Sequence, residues 1–171
     1  DTRFLSKEFA IETALILASN GIVAHVTNSV STTPMVSFHT KQKGADIGIV
    51  ITASHNPPNY NGYKIKGRFG GPAAPEEIKK VEAELYKISR VPKFKFKPLD
   101  FYIATRMIRF FDAKEPYFRY IKKKIDIELI RSKNYKIVYD PMYGAGIGLP
   151  KILLPDITEI HGEYNPSFGE L

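Results

Sequence analysis

Cysteine is absent from the 171 residues, and that removes disulfides, thiolate metal sites and cysteine nucleophiles at once. The composition suits a reducing compartment, with the cytoplasm as the default location. No apolar run approaches the roughly 20 residues that cross a bilayer, and Asp1-Thr2-Arg3-Phe4 carries neither a basic leader nor a long apolar stretch. A soluble protein without a membrane partner is expected. An initiator methionine is missing too, and the chain opens close to a helix start, so residues before Asp1 are expected. Neither a P-loop nor Gly-x-Ser-x-Gly occurs, which argues against an NTPase and an α/β-hydrolase. His161-Gly162-Glu163 matches half of a zinc-deaminase signature, but the cysteine pair that completes it is lacking. Gly144-Ala145-Gly146-Ile147-Gly148 falls short of a dinucleotide fingerprint, because its third glycine comes one place early and Leu149 stands where a glycine is needed. A tight strand-to-helix turn is the better account.

Positive charge is in excess, a formal +7, and it favours anionic partners in general through long-range attraction. Sugar phosphates and nucleic acids both qualify. The lysines concentrate in Lys93-Phe94-Lys95-Phe96-Lys97 and Lys122-Lys123-Lys124. Both read as solvated faces, one an alternating strand with a wet side, the other a helix end where cations oppose the dipole. A chain of this length folds as one domain or one and a fraction, and buries roughly 70% of its unfolded surface.

Apolar residues Phe9, Ala10, Ala14, Ile16 and Leu17 predict a helix over 7–19, with Ser6 as N-cap and Asn20-Gly21 closing it. A strand follows over Gly21–Thr27. Ser31-Thr32-Thr33-Pro34 opens a second helix that Gly44 ends, with Pro34 in the first turn where its missing N–H is harmless. Residues 45–53 are a β-branched apolar run, as in a strand covered on both faces. Gly70-Gly71-Pro72 breaks the chain, and a helix runs from Pro75 to about Ser89. Val91–Pro98 reads as a surface strand or connector, followed by Phe110-Phe111-Asp112 and an amphipathic segment from Pro116 to about Ile130. Tyr135–Asp140 is a further strand and Gly144–Leu154 a further helix. Alternating βα units predict an α/β layer fold. A boundary near 131–134 gives a first domain over 1–131 and the start of a second over 132–171, too short for a complete α/β domain, so the chain is expected to end inside it. His25 and His39 fall in the strand and helix with no second ligand at metal spacing, and read as structural.

One run stands apart. Thr52-Ala53-Ser54-His55-Asn56-Pro57, then Asn61-Gly62-Tyr63-Lys64, leaves the apolar strand directly. Phosphoryl transfer through a serine needs an exposed hydroxyl, positive charge near the phosphoryl oxygens and a group that manages the hydroxyl proton. Ser54 offers the hydroxyl at the strand end that α/β proteins use for ligands; His55 and Lys64 are candidates for the other tasks. Asn56-Pro57-Pro58 stiffens the loop, and Asn61-Gly62 makes a turn that could return Lys64 towards Ser54. From these residues alone, an ordinary turn and a catalytic loop both stay open.

The run is similar to the active-serine pattern of the α-D-phosphohexomutases, the phosphoglucomutase and phosphomannomutase superfamily, and matches it in full from Thr52 to Lys64. Asp1-Thr2-Arg3 and Ser6 resemble the family's lead into its first helix. Asp140-Pro141-Met142-Tyr143-Gly144-Ala145-Gly146 resembles the opening of its second domain, and Asn165-Pro166-Ser167-Phe168-Gly169 the segment after that domain's next strand. The order of the matches is the family's. The resemblance implies a first domain of mixed sheet flanked by helices, joined to the start of a similar second domain. It implies that Ser54 is a phosphoserine whose phosphate is one ligand of Mg²⁺, that His55 contacts the phosphoryl group or substrate, and that Lys64 assists proton transfer and charge neutralisation.

Arg3 enters as part of the phosphate environment, with a salt bridge at a helix start as an equal account; Lys66 and Arg68 are expected to be solvated. The implied activity interconverts hexose 1-phosphate and hexose 6-phosphate, of glucose or mannose, through hexose 1,6-bisphosphate. The family's metal loop, Asp-Gly-Asp-x-Asp-Arg, and its sugar loop, Gly-Glu-x-Ser-Gly, do not occur here, so these residues are expected to be inactive alone. Two rival readings are a basic nucleic-acid-binding module using Lys93 to Lys97 and a non-catalytic sugar-phosphate sensor. The first is disfavoured, with no nucleic-acid partner expected.

Overall fold

A computed structural model describes residues 1–89 and 96–169. The first part of the expected Val91–Pro98 connector, with Lys93, Phe94 and Lys95, lies outside the described residues. Helix α1 (Ser6–Ser19) leads to β1 (Ala24–Thr27), α2 (Thr33–Gln42), β2 (Ile47–Ile51), β3 (Tyr63–Gly67) and α3 (Pro75–Tyr86). Beyond the undescribed stretch come α4 (Leu99–Ala104), β4 (Ile108–Phe111), α5 (Lys114–Lys122), α6 (Ile127–Ser132), β5 (Val138–Tyr139), a 3₁₀ turn (Pro150–Ile152) and β6 (Thr158–Glu159).

The expected α/β class holds, with parallel and antiparallel pairing both present. β1 pairs with β4 in parallel, Ala24 opposite Ile108. β2 pairs with β3 antiparallel, Ile51 opposite Tyr63, and β5 pairs with β6 in parallel. The α1–β1 junction is fixed by a Schellman turn: Gly21 N–H donates to Ala18 O, Ile22 N–H to Leu17 O, and Gly21 takes φ +79°. That turn consumes the first residues of the predicted strand, which starts only at Ala24.

Other expectations need correction. Residues 144–154 form no α-helix; turns run from Gly144 to Leu149, and only Pro150–Ile152 is helical, as 3₁₀. Glycines at 144, 146 and 148 each weaken a helix by about 1 kcal/mol, and Gly148 at φ +70° cannot belong to one. The amphipathic segment splits because Asp126 caps a fresh helix, its carboxylate accepting Leu129 N–H at 2.9 Å. β2 is covered on both faces at its end, where Val50 and Ile51 are buried, but not at its start, where Ile47 is 49% exposed. Helix α4 and strand β4, unforeseen, supply Tyr102 and Ile108 to the core. Lys122, Lys123 and Lys124 stand exposed at the end of α5, as read from the pattern.

Among the described residues two clusters form the core. Ala14 and Ala18 of α1 pack with Ala24, Tyr102 and Ile108. Met35 of α2, fully buried, packs in a group with Ala113, Phe118 of α5 and Leu149. The second cluster ties residues beyond 132 to α2, whose N-terminus faces the serine loop. His39 lies beside it, buried, its Nε2–H donating to Ala113 O at 2.8 Å and its ring edge-on to Phe111. His25 is exposed, its ring 6.3 Å from that of Phe111. Truncating Met35 to alanine empties the centre of the second cluster. Urea unfolding of Met35→Ala should show a loss of about 2–5 kcal/mol; a loss below about 1 kcal/mol would show that the cluster is not a core.

Candidate active site

Strand β2 runs into the loop through Thr52, whose N–H donates to Gly62 O at 2.9 Å and so extends the β2–β3 ladder by one bond. The approach requires glycine: a Cβ at Gly62 would lie 2.7 Å from Thr52 O. The buried Thr52 hydroxyl donates to Asp1 Oδ2 at 2.5 Å and accepts Ser54 N–H at 3.0 Å. Asn61 ties the far end of the loop to α1, its amide donating to Phe4 O and Ser6 Oγ. Ser6, expected as N-cap, is instead the first helical residue, and its hydroxyl serves Asn61.

Arg3 organises what lies between. Its residue is 4% exposed. Nε–H donates to Asp1 Oδ2 at 3.1 Å, Nη1 to Pro57 O and Tyr60 O at 2.9 Å each, and Nη2 to Ser54 O at 2.9 Å and Asn56 O at 2.8 Å. A guanidinium has five N–H groups, and all five are used. None remains for a phosphoryl oxygen in this arrangement, and the salt bridge expected as the equal account forms to Asp1.

The clamp leaves Ser54 exposed with φ +60°, in the left-handed region that costs a side-chain-bearing residue roughly 1–2 kcal/mol. His55 and Asn56 beside it are exposed as well. They line a cleft of about 650 Å³. Thr32, Thr33 and Pro34 at the N-terminus of α2 form another wall, and Met142, Ala145 and Phe168 close it from the C-terminal side. Thr32 makes no side-chain cap, and the positive end of the α2 dipole lies at this wall, where Pro34 itself brings no N–H.

The structure brings Ser54 and His55 together and sets Lys64 apart. Lys64 is exposed in β3 opposite Val50, so both side chains leave one face of the ribbon; Val50 lines the cleft and Lys64 does not. Lys66, expected to be solvated, is 8% exposed, because it stands opposite Gly48 on the face that α2 covers through Thr40. Arg68 is exposed and paired with Asp46, as expected of a solvated side chain. Asp140 positions the far wall: its carboxylate accepts Met142 N–H at 2.8 Å and meets His161 Nδ1 at 2.9 Å. The His161 hydrogen bond, aided by the Met142 amide, holds its pKa below the ordinary carboxylate value. Among the described residues no group of three or more His, Asp or Glu could hold a metal.

Asp1 and Thr52 brace the loop and the α2 N-terminus lines the cleft, placements that the pattern does not announce. The Pro34 signal marks the helix start, though not what it faces. Two substitutions test the loop. Ser54→Gly relieves the left-handed strain and should raise the urea unfolding free energy by about 1 kcal/mol, while Gly62→Ala forces Thr52 O aside and should lower it by about 1–3 kcal/mol. The opposite order of stabilities would contradict the loop geometry.

Comparison with known proteins identifies relatives of this sequence and fold. The family described as "Phosphoglucomutase/phosphomannomutase, alpha/beta/alpha domain I" matches residues 1–91. A phosphoglucomutase of Staphylococcus haemolyticus is 33% identical over an alignment covering 100% of this chain and 30% of its own length. A phosphoglucosamine/phosphogalactosamine mutase of Sulfurisphaera tokodaii is 33% identical over 80% of this chain and 30% of its own. A crystal structure from Thermus thermophilus, assigned as a phosphomannomutase, superposes with a TM-score of 0.83 at 32% identity, over 98% of this chain and 37% of that one. The chain thus spans about a third of the length of these relatives. With the family description covering the whole serine loop and the relatives extending through the far wall of the cleft, the chain belongs to the phosphoglucomutase/phosphomannomutase family.

Proposed function

We propose that this chain is the nucleophile-bearing part of a hexose phosphate mutase, with a first domain over 1–131 and the start of a second over 132–171. The observation that carries the reading is Ser54: an exposed hydroxyl on a loop locked by Arg3, beside an imidazole and under an uncapped helix N-terminus. Family membership supports the substrate class. In the proposed reaction a phosphoryl group on Ser54 Oγ passes to the free hydroxyl of a hexose monophosphate. The Oγ–P bond breaks as the sugar O–P bond forms, the proton of the sugar hydroxyl ends on Ser54 Oγ, and the product is hexose 1,6-bisphosphate. That molecule turns over in the cleft, and its other phosphoryl group returns to Ser54.

His55 lines the same cleft as Ser54, which supports a contact with the phosphoryl group or the substrate, and the helix dipole of α2 favours the negative charge of a phosphoryl group there. Lys64, exposed in β3 opposite Val50, is assigned charge neutralisation and movement of the proton. Metal dependence is general in the family, and Mg²⁺, with the Ser54 phosphate as one ligand, is the ion proposed for the whole enzyme. The described residues offer no acidic cluster to complete its shell. The proposed location is the cytoplasm.

Intact mass tests the reading. The longer protein, incubated with glucose 1,6-bisphosphate, should gain one phosphoryl group that Ser54→Ala abolishes, whereas the 171-residue chain alone should show negligible mutase turnover. A wild-type protein that never gains the group would end the mutase reading.

A further inference from the structure

The guanidinium of Arg3 spends every N–H in its own plane, which leaves its two faces. One of them is covered by the ring of Phe168, with Cζ 5.0 Å from the ring centroid. Phe168 comes from the segment beyond β6, far along the chain from the arginine it covers. It is also held with care. Asn165 accepts Ser167 N–H and its hydroxyl at 3.0 and 2.6 Å, Phe168 N–H donates to Asn165 O at 3.0 Å, and Phe168 itself sits at φ +52°. A non-glycine residue in that conformation persists where its surroundings impose it.

We propose that Phe168 is a positioning residue for Ser54, acting through Arg3. The ring contributes a cation–π contact and excludes water from the guanidinium. Water admitted to that face would compete for the donors that hold the carbonyls of Ser54, Asn56, Pro57 and Tyr60. The loop therefore takes its reactive shape only while the segment 165–169 is docked, and the second-domain side of the cleft sets the geometry of the nucleophile on the first. The functional consequence rests on Ser54 being the phosphoryl carrier; the physical coupling does not.

The test compares Phe168→Leu, which keeps apolar bulk, with Phe168→Trp, which restores a ring face. In the 171-residue chain, hydrogen exchange by NMR is read at Arg3 Nε–H and at the Asn56 and Tyr60 amides, with α1 amides as the internal reference. Phe168→Leu should accelerate exchange at the loop sites about tenfold while α1 is unchanged, and Phe168→Trp should return it to the wild-type rate. Unchanged loop exchange in Phe168→Leu, equal acceleration of loop and α1, or equal behaviour of Leu and Trp would each overturn the proposal. In the longer protein the rate of phosphoryl loading from glucose 1,6-bisphosphate should fall about tenfold with Leu and recover with Trp. If wild type never loads, the mutase reading fails and the exchange result still decides the coupling.

Discussion

The loop that presents Ser54 has the shape of the cation it wraps. Carbonyl groups from Ser54, Asn56, Pro57 and Tyr60 converge on one guanidinium, an arrangement that neither helix nor strand can produce. Lysine could not replace it, because an ammonium has three donors and no planar fork. A buried cation is tolerated only when paired and hydrogen-bonded. Asp1 supplies the opposite charge, and Thr52 braces Asp1 from the end of β2. The strand, the start of the chain and the loop consequently behave as one unit around a single charge.

That unit explains how an exposed serine can be held in a disfavoured conformation. The left-handed backbone at Ser54 is sustained by the Arg3 bond to its own carbonyl and by the Thr52 bond to its N–H. Both bonds come from buried groups, so the rigidity originates beneath the surface while the hydroxyl stays above it. The walls of the cleft then arrive from elsewhere: α2, anchored by Met35, and the turns after β5, anchored by Asp140 and Leu149.

Much of this is legible in the sequence where local chemistry sets the structure. Asn20-Gly21, Pro34 and Pro75 mark helix boundaries because φ and N–H requirements are local. The Thr52–Lys64 run is legible as a stiffened loop, and the family resemblance singles out Ser54 within it. What is illegible depends on partners distant in the chain. Arg3 reads as a salt bridge or a phosphate ligand because its acceptors are backbone carbonyls, which every residue has and no sequence advertises. Lys66 reads as solvated because the helix that covers it is contributed by residues before β2. The stretch from Gly144 to Leu154 reads as a helix following a strand, and its glycines, with Gly148 at φ +70°, prevent one.

The central claim is that Arg3 dictates the loop. Backbone ¹⁵N relaxation across Ser54–Tyr60 in wild type and Arg3→Lys tests it most directly, since lysine keeps the charge and loses the fork. The account predicts order parameters of about 0.8 or more through the loop in the wild type, falling below about 0.6 in Arg3→Lys, with α1 and the β1–β4 pair unchanged. A loop as rigid in Arg3→Lys as in the wild type would contradict it.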